Sequence, residues 1–91
     1  MEYNVIHNEE ANRFEIEIEN LLSVVDYTRK GETLIVTHTG VPQALEGRGI
    51  AAAITKALLQ YIRVNGLKVR PVCPYTATYI ARHPEYSDLV V

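Results

Sequence analysis

The chain has little cysteine and no long apolar run. Cys73 is the only cysteine among 91 residues, so no disulfide can form within the chain, and we expect a protein of a reducing compartment, the cytoplasm. No apolar run approaches the roughly 20 residues that a membrane span needs. The first residues, Met-Glu-Tyr-Asn, do not resemble a secretory signal peptide, which begins with a basic and then an apolar stretch. We therefore expect no membrane association.

An excess of basic residues is also missing. Nine Lys and Arg stand against eleven Asp and Glu, which gives a formal charge of −2. Nucleic-acid-binding proteins usually concentrate basic residues, whereas here they are scattered, so we expect no nucleic-acid partner. His7 and His83 have no zinc-like spacing with each other or with Cys73, and we expect no metal site.

Size and composition are those of one small globular domain. Hydrophobic residues make up 47% and charged residues 22% of the chain, which is ordinary for a globular protein. A chain of 91 residues has no room for a second core. No repeat, linker or low-complexity segment divides the sequence, so we expect residues 1–91 to form a single domain.

Hydrophobic periodicity predicts the order of the elements. A period of two predicts four strands, over residues 3–7, 14–19, 23–29 and 32–39. A polar turn over 8–12 and a tight turn at Lys30-Gly31 separate them. The period then becomes helical over 49–64, and a short strand over 67–73 and a helix over 75–82 follow.

This order predicts an α+β fold. The first strands form an antiparallel meander, and the following βα unit adds a strand parallel to the last of them. The result is a mixed five-stranded sheet with one long helix and a short C-terminal helix. The start of the long helix then lies beside the C-terminal end of strand 32–39, where we expect a ligand crevice.

The long helix begins without a capping side chain. Glu46, Gly47, Arg48 and Gly49 precede its apolar run, and none of them is Ser, Thr, Asp or Asn. Several backbone N–H groups therefore remain free at the positive end of the helix dipole, an arrangement that binds phosphate groups. The alternative interpretation is that the two glycines only make a turn.

The segment Glu46-Gly47-Arg48-Gly49-Ile50-Ala51 resembles the acetyl-CoA pyrophosphate loop of the GCN5-related N-acetyltransferases. That loop reads Gln or Arg, two variable residues, Gly, one variable residue, then Gly or Ala; Glu46 stands where Gln or Arg is usual. Two further blocks, His38-Thr39-x-Val41-Pro42 and Cys73-x-Tyr75 followed by Arg82-x-Pro84, resemble a subfamily of small stand-alone domains. The resemblance implies a truncated acetyltransferase fold, without the N-terminal helices that help to form the wall of the amine site.

The resemblance implies acetyl-CoA or CoA as cofactor. The amides at the helix start would hold the pyrophosphate, and the pantetheine would pair with the end of the preceding strand like an added strand. The other interpretation of that strand is that it simply ends at a sheet edge. The resemblance implies that ten residues bind the cofactor: Thr39, Gly40, Val41, Gly47, Arg48, Gly49, Ile50, Ala51, Ala52 and Tyr75. Arg82 has two interpretations, a contact to the cofactor phosphates or an exposed ion pair.

Three residues are candidates for catalysis. Histidine is the residue type that most often serves as a general base, and His38 is either the base that deprotonates the amine or a buried structural histidine. Cys73 is either a thiol beside the thioester, as proton donor or transient acetyl acceptor, or a small buried apolar residue. Larger relatives place a general-acid tyrosine where Ala81 stands here. Tyr79 or Tyr75 would then substitute for it, or both pack in the core.

The sequence thus predicts an enzyme that moves an acetyl group from acetyl-CoA directly to a small-molecule or peptide amine. A different hypothesis is an acyl-CoA-binding or sensing module without efficient turnover. A plain protein-interaction domain would leave the uncapped helix unexplained. We expect a monomer or a weak homodimer, since an exposed edge strand can pair with a second copy.

Overall fold

The structure, a computed structural model, describes residues 3–91. Five strands form one sheet in the order β1-β2-β3-β4-β5. The pairs β1–β2, β2–β3 and β3–β4 are antiparallel, and the pair β4–β5 is parallel. The elements are β1 (Ile6–Asn8), β2 (Arg13–Ile18), β3 (Leu21–Lys30), β4 (Thr33–Gly40), α1 (Ile50–Val64), β5 (Lys68–Pro71) and α2 (Pro74–Arg82). The predicted α+β architecture, with its mixed five-stranded sheet, is confirmed.

Most element boundaries differ from those predicted by one to three residues. The first strand covers Ile6–Asn8 instead of 3–7. The second turn lies one residue later than Lys30-Gly31, since Lys30 pairs with Thr33 across it. Strand β5 ends at Pro71, although the amide of Cys73 still donates to the carbonyl of Val36 on β4, at 2.9 Å.

The turn between β2 and β3 shows why one boundary moved. Glu19 was predicted to continue the strand, but Glu19 and Asn20 have φ of 55° and 62° and form the turn. Type I′ hairpin turns, which match the twist of the strands, need positive φ at both central positions. The alternation of Phe14 to Glu19 gives no sign of this, because it continues in register up to the turn.

The core lies between α1 and one face of the sheet. Helix α1 contributes the stripe Ile50, Ile54, Leu58 and Ile62, as its periodicity predicted, and these side chains are at most 2% exposed. The sheet contributes the inward side chains of four strands: Phe14, Ile16, Val25, Tyr27, Leu34, Val36 and Val69. No helix of residues 3–91 covers the opposite face, where polar side chains predominate.

A β-bulge interrupts the pairing of β3 with β4. Asp26 lies opposite His38, but the next pair is Tyr27 with Val36, so Thr37 is an extra residue. The bulge shifts the alternation by one residue. Val36 and Thr39 consequently point to the core side, and His38 points to the open face.

Beyond the bulge, β4 continues without its parallel neighbour. The last pair between β4 and β5 is Val36 with Pro71, whereas β4 remains paired with β3 as far as Gly40. The backbone from Thr37 to Gly40 therefore has a free edge on the side away from β3. The chain after this edge returns through a 3-10 turn over residues 43–45 to the start of α1.

Candidate functional site

A cavity of about 440 Å³ lies where the end of β4, the start of α1 and the start of α2 meet. Its walls are formed by backbone and small side chains more than by large ones. Nine of the ten predicted cofactor-binding residues line it, together with two others; the complete set is Thr39, Gly40, Val41, Leu45, Glu46, Gly47, Gly49, Ile50, Ala51, Ala52 and Tyr75. The tenth predicted residue, Arg48, does not.

The start of α1 is uncapped, as predicted. Gly49 is the N-cap residue with φ of 74°, and no side chain of the described residues caps the helix. The first backbone bond of the helix runs from the amide of Ala53 to the carbonyl of Gly49, at 3.1 Å. The amides of residues 47 to 52 have no acceptor in the described part of the chain. They remain available at the positive end of the helix dipole.

The acidic Glu46 lines the cavity, whereas the basic Arg48 does not. Of the side chains that line the cavity in the described chain, Glu46 is the one that carries a charge. The guanidinium of Arg48 donates to the carboxylate of Glu19, at 3.0 Å, and the hydroxyl of Tyr3 donates to the carbonyl of Arg48. Arg48 is therefore directed toward the β2–β3 turn, away from the cavity in which it was expected to add charge.

Leu45 lines the cavity and was not predicted. It is fully buried in the 3-10 turn that precedes α1. The sequence contains one signal that could have revealed it, because Leu45 is a single large apolar residue within the segment Pro42 to Glu46. An apolar residue in such a loop indicates that the loop packs against the core and is held in place.

His38 lies on the open face of the sheet. It is exposed, so the alternative of a buried structural histidine is wrong. Its cross-strand neighbour is Asp26, whose carboxylate accepts a bond from Arg13 at 2.9 Å. The His38 ring covers Gly40, since a Cβ placed on Gly40 would lie 2.9 Å from its Nε2. His38 therefore adjoins the cavity wall from the side opposite to α1.

Cys73 lies behind the cavity wall. It is 5% exposed and is the N-cap residue of α2. Its Sγ is 3.4 Å from the Oγ1 of Thr39, which does line the cavity. Burial, the largest influence, raises the pKa of the thiol, but hydrogen bonds from the Thr39 hydroxyl and from the amides of Thr76 and Tyr75 outweigh it. The pKa of Cys73 is therefore lowered.

Tyr75 and Tyr79 differ in their access to the cavity. Tyr75 is 38% exposed and lines the cavity, whereas Tyr79 is 9% exposed and does not. Burial raises the pKa of both phenols. The Tyr79 ring stacks on His83 with 4.0 Å between ring centres, and its backbone carbonyl accepts a bond from Nδ1 of His83 at 2.8 Å. Of these two phenols, Tyr75 is therefore the one that lines the cavity.

A second cavity of about 290 Å³ adjoins the first along α2. Ala52 and Tyr75 belong to the walls of both cavities, and Tyr79 lines the second. The other lining residues of the second cavity are Thr78, Arg82 and His83. Sequence reasoning did not predict this second cavity.

Residues 3–91 offer neither a cluster of metal ligands nor a membrane-spanning helix. These residues contain no cluster of three or more His, Cys, Asp or Glu side chains that could hold a metal ion. In the same part of the chain, no helix is both long enough and apolar enough to cross a bilayer.

This chain is similar to known proteins both in sequence and in structure. A family described as GCN5-related N-acetyl-transferase matches residues 13–89. Protein NATD1 of Mus musculus is 30% identical over 83 residues, which cover 88% of this chain and 76% of that protein. Protein NATD1 of Homo sapiens is 35% identical over 63 residues, which cover 68% and 56%. A Staphylococcus aureus structure described as GCN5-like superimposes with a TM-score of 0.77 at 25% identity, covering 98% of this chain and 88% of that one.

Proposed function

Because this chain belongs to the GCN5-related N-acetyltransferase family, we propose that it transfers an acetyl group from acetyl-CoA to an amine. The observation on which this proposal rests is the cavity at the start of α1. Within one cavity, helix-start amides without protein acceptors face the free edge of β4.

The residues of this corner fit coenzyme A. Free amides at a helix start bind phosphate oxygens, and the positive φ values of Gly47 and Gly49 leave the backbone open to close approach. The free backbone edge from Thr37 to Gly40 suits the amide groups of a pantetheine arm, which can pair with it as a strand does. When bound, acetyl-CoA supplies the activated acetyl thioester.

His38 is proposed as the base that takes the proton of the amine. Its ring lies on the open face and covers Gly40, at the boundary of the cavity. An amine that arrives over the open face therefore meets His38 at the level of the β4 edge. Amine groups are nucleophilic only when deprotonated, and an imidazole side chain can take up the proton that the amine releases.

Thr39, Cys73 and Tyr75 are proposed to act on the other side of the thioester. Thr39 and Tyr75, which both carry hydroxyls, line the cavity, and Cys73 contacts the Thr39 hydroxyl from behind. Protonation of the leaving thiolate is then available from Tyr75 directly, or from Cys73 through the Thr39 hydroxyl. The direct route to an amine needs no acetyl-cysteine.

The alternative function is an acyl-CoA-binding or sensing module without efficient turnover. The open face favours this candidate, since no helix of the described residues forms a wall beside His38. An acceptor without a wall is held less firmly, and positioning contributes a large part of the rate of such transfers. The two candidates share the cofactor site and differ in acceptor turnover.

The test combines calorimetric titration with a turnover assay. We expect acetyl-CoA and CoA to bind, and ATP to bind more weakly or not at all, because ATP has no pantetheine to occupy the β4 edge. Release of free CoA thiol is then measured with polyamines, lysine peptides and small amines. Turnover with one of them supports the enzyme, binding without turnover supports the sensing module, and no binding of either CoA species refutes both.

The His38→Ala variant tests the base. We expect kcat to fall about 100-fold at neutral pH, because base catalysis contributes about 10²–10⁴-fold, while the acetyl-CoA Kd changes little. Thr28→Ala is the matched control, since Thr28 is exposed on β3 and lies outside both cavities. Unchanged turnover in His38→Ala would remove His38 from the chemistry.

Location and assembly are also part of the proposal. We propose a cytoplasmic protein, since the Cys73 thiol beside Thr39 must stay reduced to take part. We further propose a monomer or a weak homodimer that forms through the exposed edge strand β1. Sedimentation across a range of concentrations distinguishes these two states from a stable oligomer.

A further inference from the structure

The loop that precedes α1 is held by residues far away in the chain. The hydroxyl of Tyr3 donates to the backbone carbonyl of Arg48, and the guanidinium of Arg48 donates to the carboxylate of Glu19 at 3.0 Å. Within residues 3–91, no other hydrogen bond joins residues 47–49 to an element outside α1. Arg48 is therefore the residue through which the hydrogen bonds of the rest of the fold reach this loop.

Glycines on both sides of Arg48 make this support important. Gly47 and Gly49 have φ of 84° and 74°, and no described atom lies within 4 Å of a Cβ placed on either of them. Glycine adopts more backbone conformations than other residues, so an unsupported segment of this kind loses more entropy when a ligand orders it. A loop that is already ordered before the ligand arrives binds it more tightly.

The Tyr3 contact also sets the direction of an amide. A peptide unit is planar and trans, so its carbonyl and the N–H of the following residue point in opposite directions. Tyr3 holds the carbonyl of Arg48, and the N–H of the same peptide unit is that of Gly49. Gly49 lines the first cavity, and its N–H has no acceptor in the described chain. The hydroxyl of Tyr3 therefore fixes the direction of one of the free amides at the start of α1.

The ion pair with Glu19 determines where the charge of Arg48 lies. Glu19 belongs to the β2–β3 turn, and Arg48, which is directed toward it, does not line the first cavity. If the guanidinium acted directly on a phosphate, it would have to leave Glu19. If it stays on Glu19, it affects a ligand only through the conformation of the loop. These two roles predict opposite effects of removing the Glu19 carboxylate.

We propose that Tyr3 and Glu19 are positioning residues, which hold the loop at the start of α1, through Arg48, in the conformation that binds the cofactor. This inference rests on the proposed use of coenzyme A at the first cavity. Arg48 is an anchor of the loop, and its guanidinium remains on Glu19 when the cofactor is bound. Neither Tyr3 nor Glu19 lines the cavity, so each acts on the ligand through Arg48.

The Glu19→Gln variant distinguishes the two roles of Arg48 by the sign of the effect. We expect the Kd of CoA, measured by calorimetric titration of the full chain, to rise about two- to fivefold, the range of one exposed ion pair. If Arg48 bound the phosphates instead, its release from Glu19 would lower the Kd. In the turnover assay, the KM for acetyl-CoA should rise by the same factor while kcat stays unchanged.

Glu17→Gln is the matched control. Glu17 is an exposed carboxylate of β2 that lines neither cavity and forms no ion pair within residues 3–91. Its loss changes the net charge by the same amount, which by itself makes an anion bind equally well or slightly more tightly. A Kd for Glu19→Gln equal to or below that for Glu17→Gln would overturn the role of Glu19.

The Tyr3→Phe variant removes the hydroxyl and keeps the ring, which packs against the core. We expect the Kd of CoA to rise about two- to tenfold, the range of one hydrogen bond. Tyr61→Phe is its control, since Tyr61 also packs against the core, and its hydroxyl has no hydrogen-bond partner in the described chain. A Kd for Tyr3→Phe no higher than that for Tyr61→Phe would overturn the role of Tyr3.

Two further results test the route through Arg48 and separate this inference from the proposed function. In an Arg48→Gln background, Glu19→Gln should have no further effect on the Kd, because the partner of Glu19 is already gone. A further rise there would overturn the anchor role of Arg48, while the acetyltransferase proposal would stand. If the parent chain binds neither CoA nor acetyl-CoA, the proposed function itself fails, and this inference fails with it.

Discussion

At the scale of single residues, Cys73 shows burial and hydrogen bonding in opposition. Burial disfavours the thiolate and is the largest influence on the pKa of Cys73. The Thr39 hydroxyl and the amides of Thr76 and Tyr75 favour the thiolate, and together they lower the pKa. The Thr76 hydroxyl is fully buried and has no partner within residues 3–91, so it can also turn to the thiolate. The folded chain therefore releases this proton at lower pH than the unfolded chain does.

The Thr39→Val variant tests this account. We expect the pKa of Cys73 to rise, because valine has no hydroxyl to donate to the thiolate. The measurement is the ultraviolet absorbance of the thiolate as a function of pH. Thr28→Val, at an exposed site on β3, should leave the pKa unchanged. An unaltered pKa in Thr39→Val would mean that the amides of α2 alone stabilise the thiolate.

The same pKa shift has a consequence for stability. A group whose pKa is depressed by folding stabilises the folded state above its unfolded pKa, about 8.5 for cysteine. That stabilisation is lost as the pH falls through the folded value. In the parent chain the contribution of Cys73 to the free energy of unfolding therefore grows between its folded and unfolded pKa, and Thr39→Val should reduce this growth.

At the scale of elements, the start of α1 depends on glycine because the backbone of Gly49 has a positive φ. Gly49 has φ of 74°, a conformation that costs other residues about 1–2 kcal/mol. No described atom lies within 4 Å of a Cβ placed there. The Cβ of a variant would therefore enter open space beside the cavity that Gly49 lines, the proposed cofactor site.

The Gly49→Ala variant should show both effects. We expect the free energy of unfolding to fall by about 1 kcal/mol through the positive φ, and the Kd of CoA to rise about tenfold or more. Gly66→Ala is the matched control, since Gly66 also has positive φ and open space, and lies at the other end of α1. It should lose similar stability and keep the parent Kd. Equal loss of affinity in both variants would contradict the loop assignment.

At the scale of the whole molecule, one layer of packing between α1 and the sheet supports the site. Leu58 is fully buried in this layer, whereas Val64, in the last turn of the same helix, is 83% exposed. Leu58→Ala should lower the free energy of unfolding by about 2–5 kcal/mol, the usual cost of a cavity in a core. Val64→Ala should change it by less than about 0.5 kcal/mol. Chemical denaturation measures both, and similar losses in the two variants would refute this view of the core.

The open face is the other feature of the whole molecule. His38, Asp26 and Gly40 lie together on it because the bulge at Thr37 changes which side chains point outward. Without the extra residue, His38 would point to the same side as Leu34 and Val36, toward the core. The exposure of the proposed base is therefore a result of pairing between strands, and alternation within β4 alone predicts the opposite.

Element types and their order could be predicted because they depend on local patterns. The stripe of Ile50, Ile54, Leu58 and Ile62 needs only the helical period to be recognised, and strand alternation likewise lies within single segments. The uncapped start of α1 is equally local, since capping residues lie within a few positions of the helix. The structure confirms these predictions of element type, element order and the uncapped helix start.

The sequence by itself determined the α+β order of elements and the glycine-bounded, uncapped start of α1, because backbone preferences and side-chain periodicity act between near neighbours. Tertiary structure alone decided the outward turn of His38, the pairing of Arg48 with Glu19 and the second cavity beside Arg82. The physical reason is that strand register and ion pairing join residues far apart in the chain. Which residues pair with each other depends on distances that are set only when the sheet and the helices pack together.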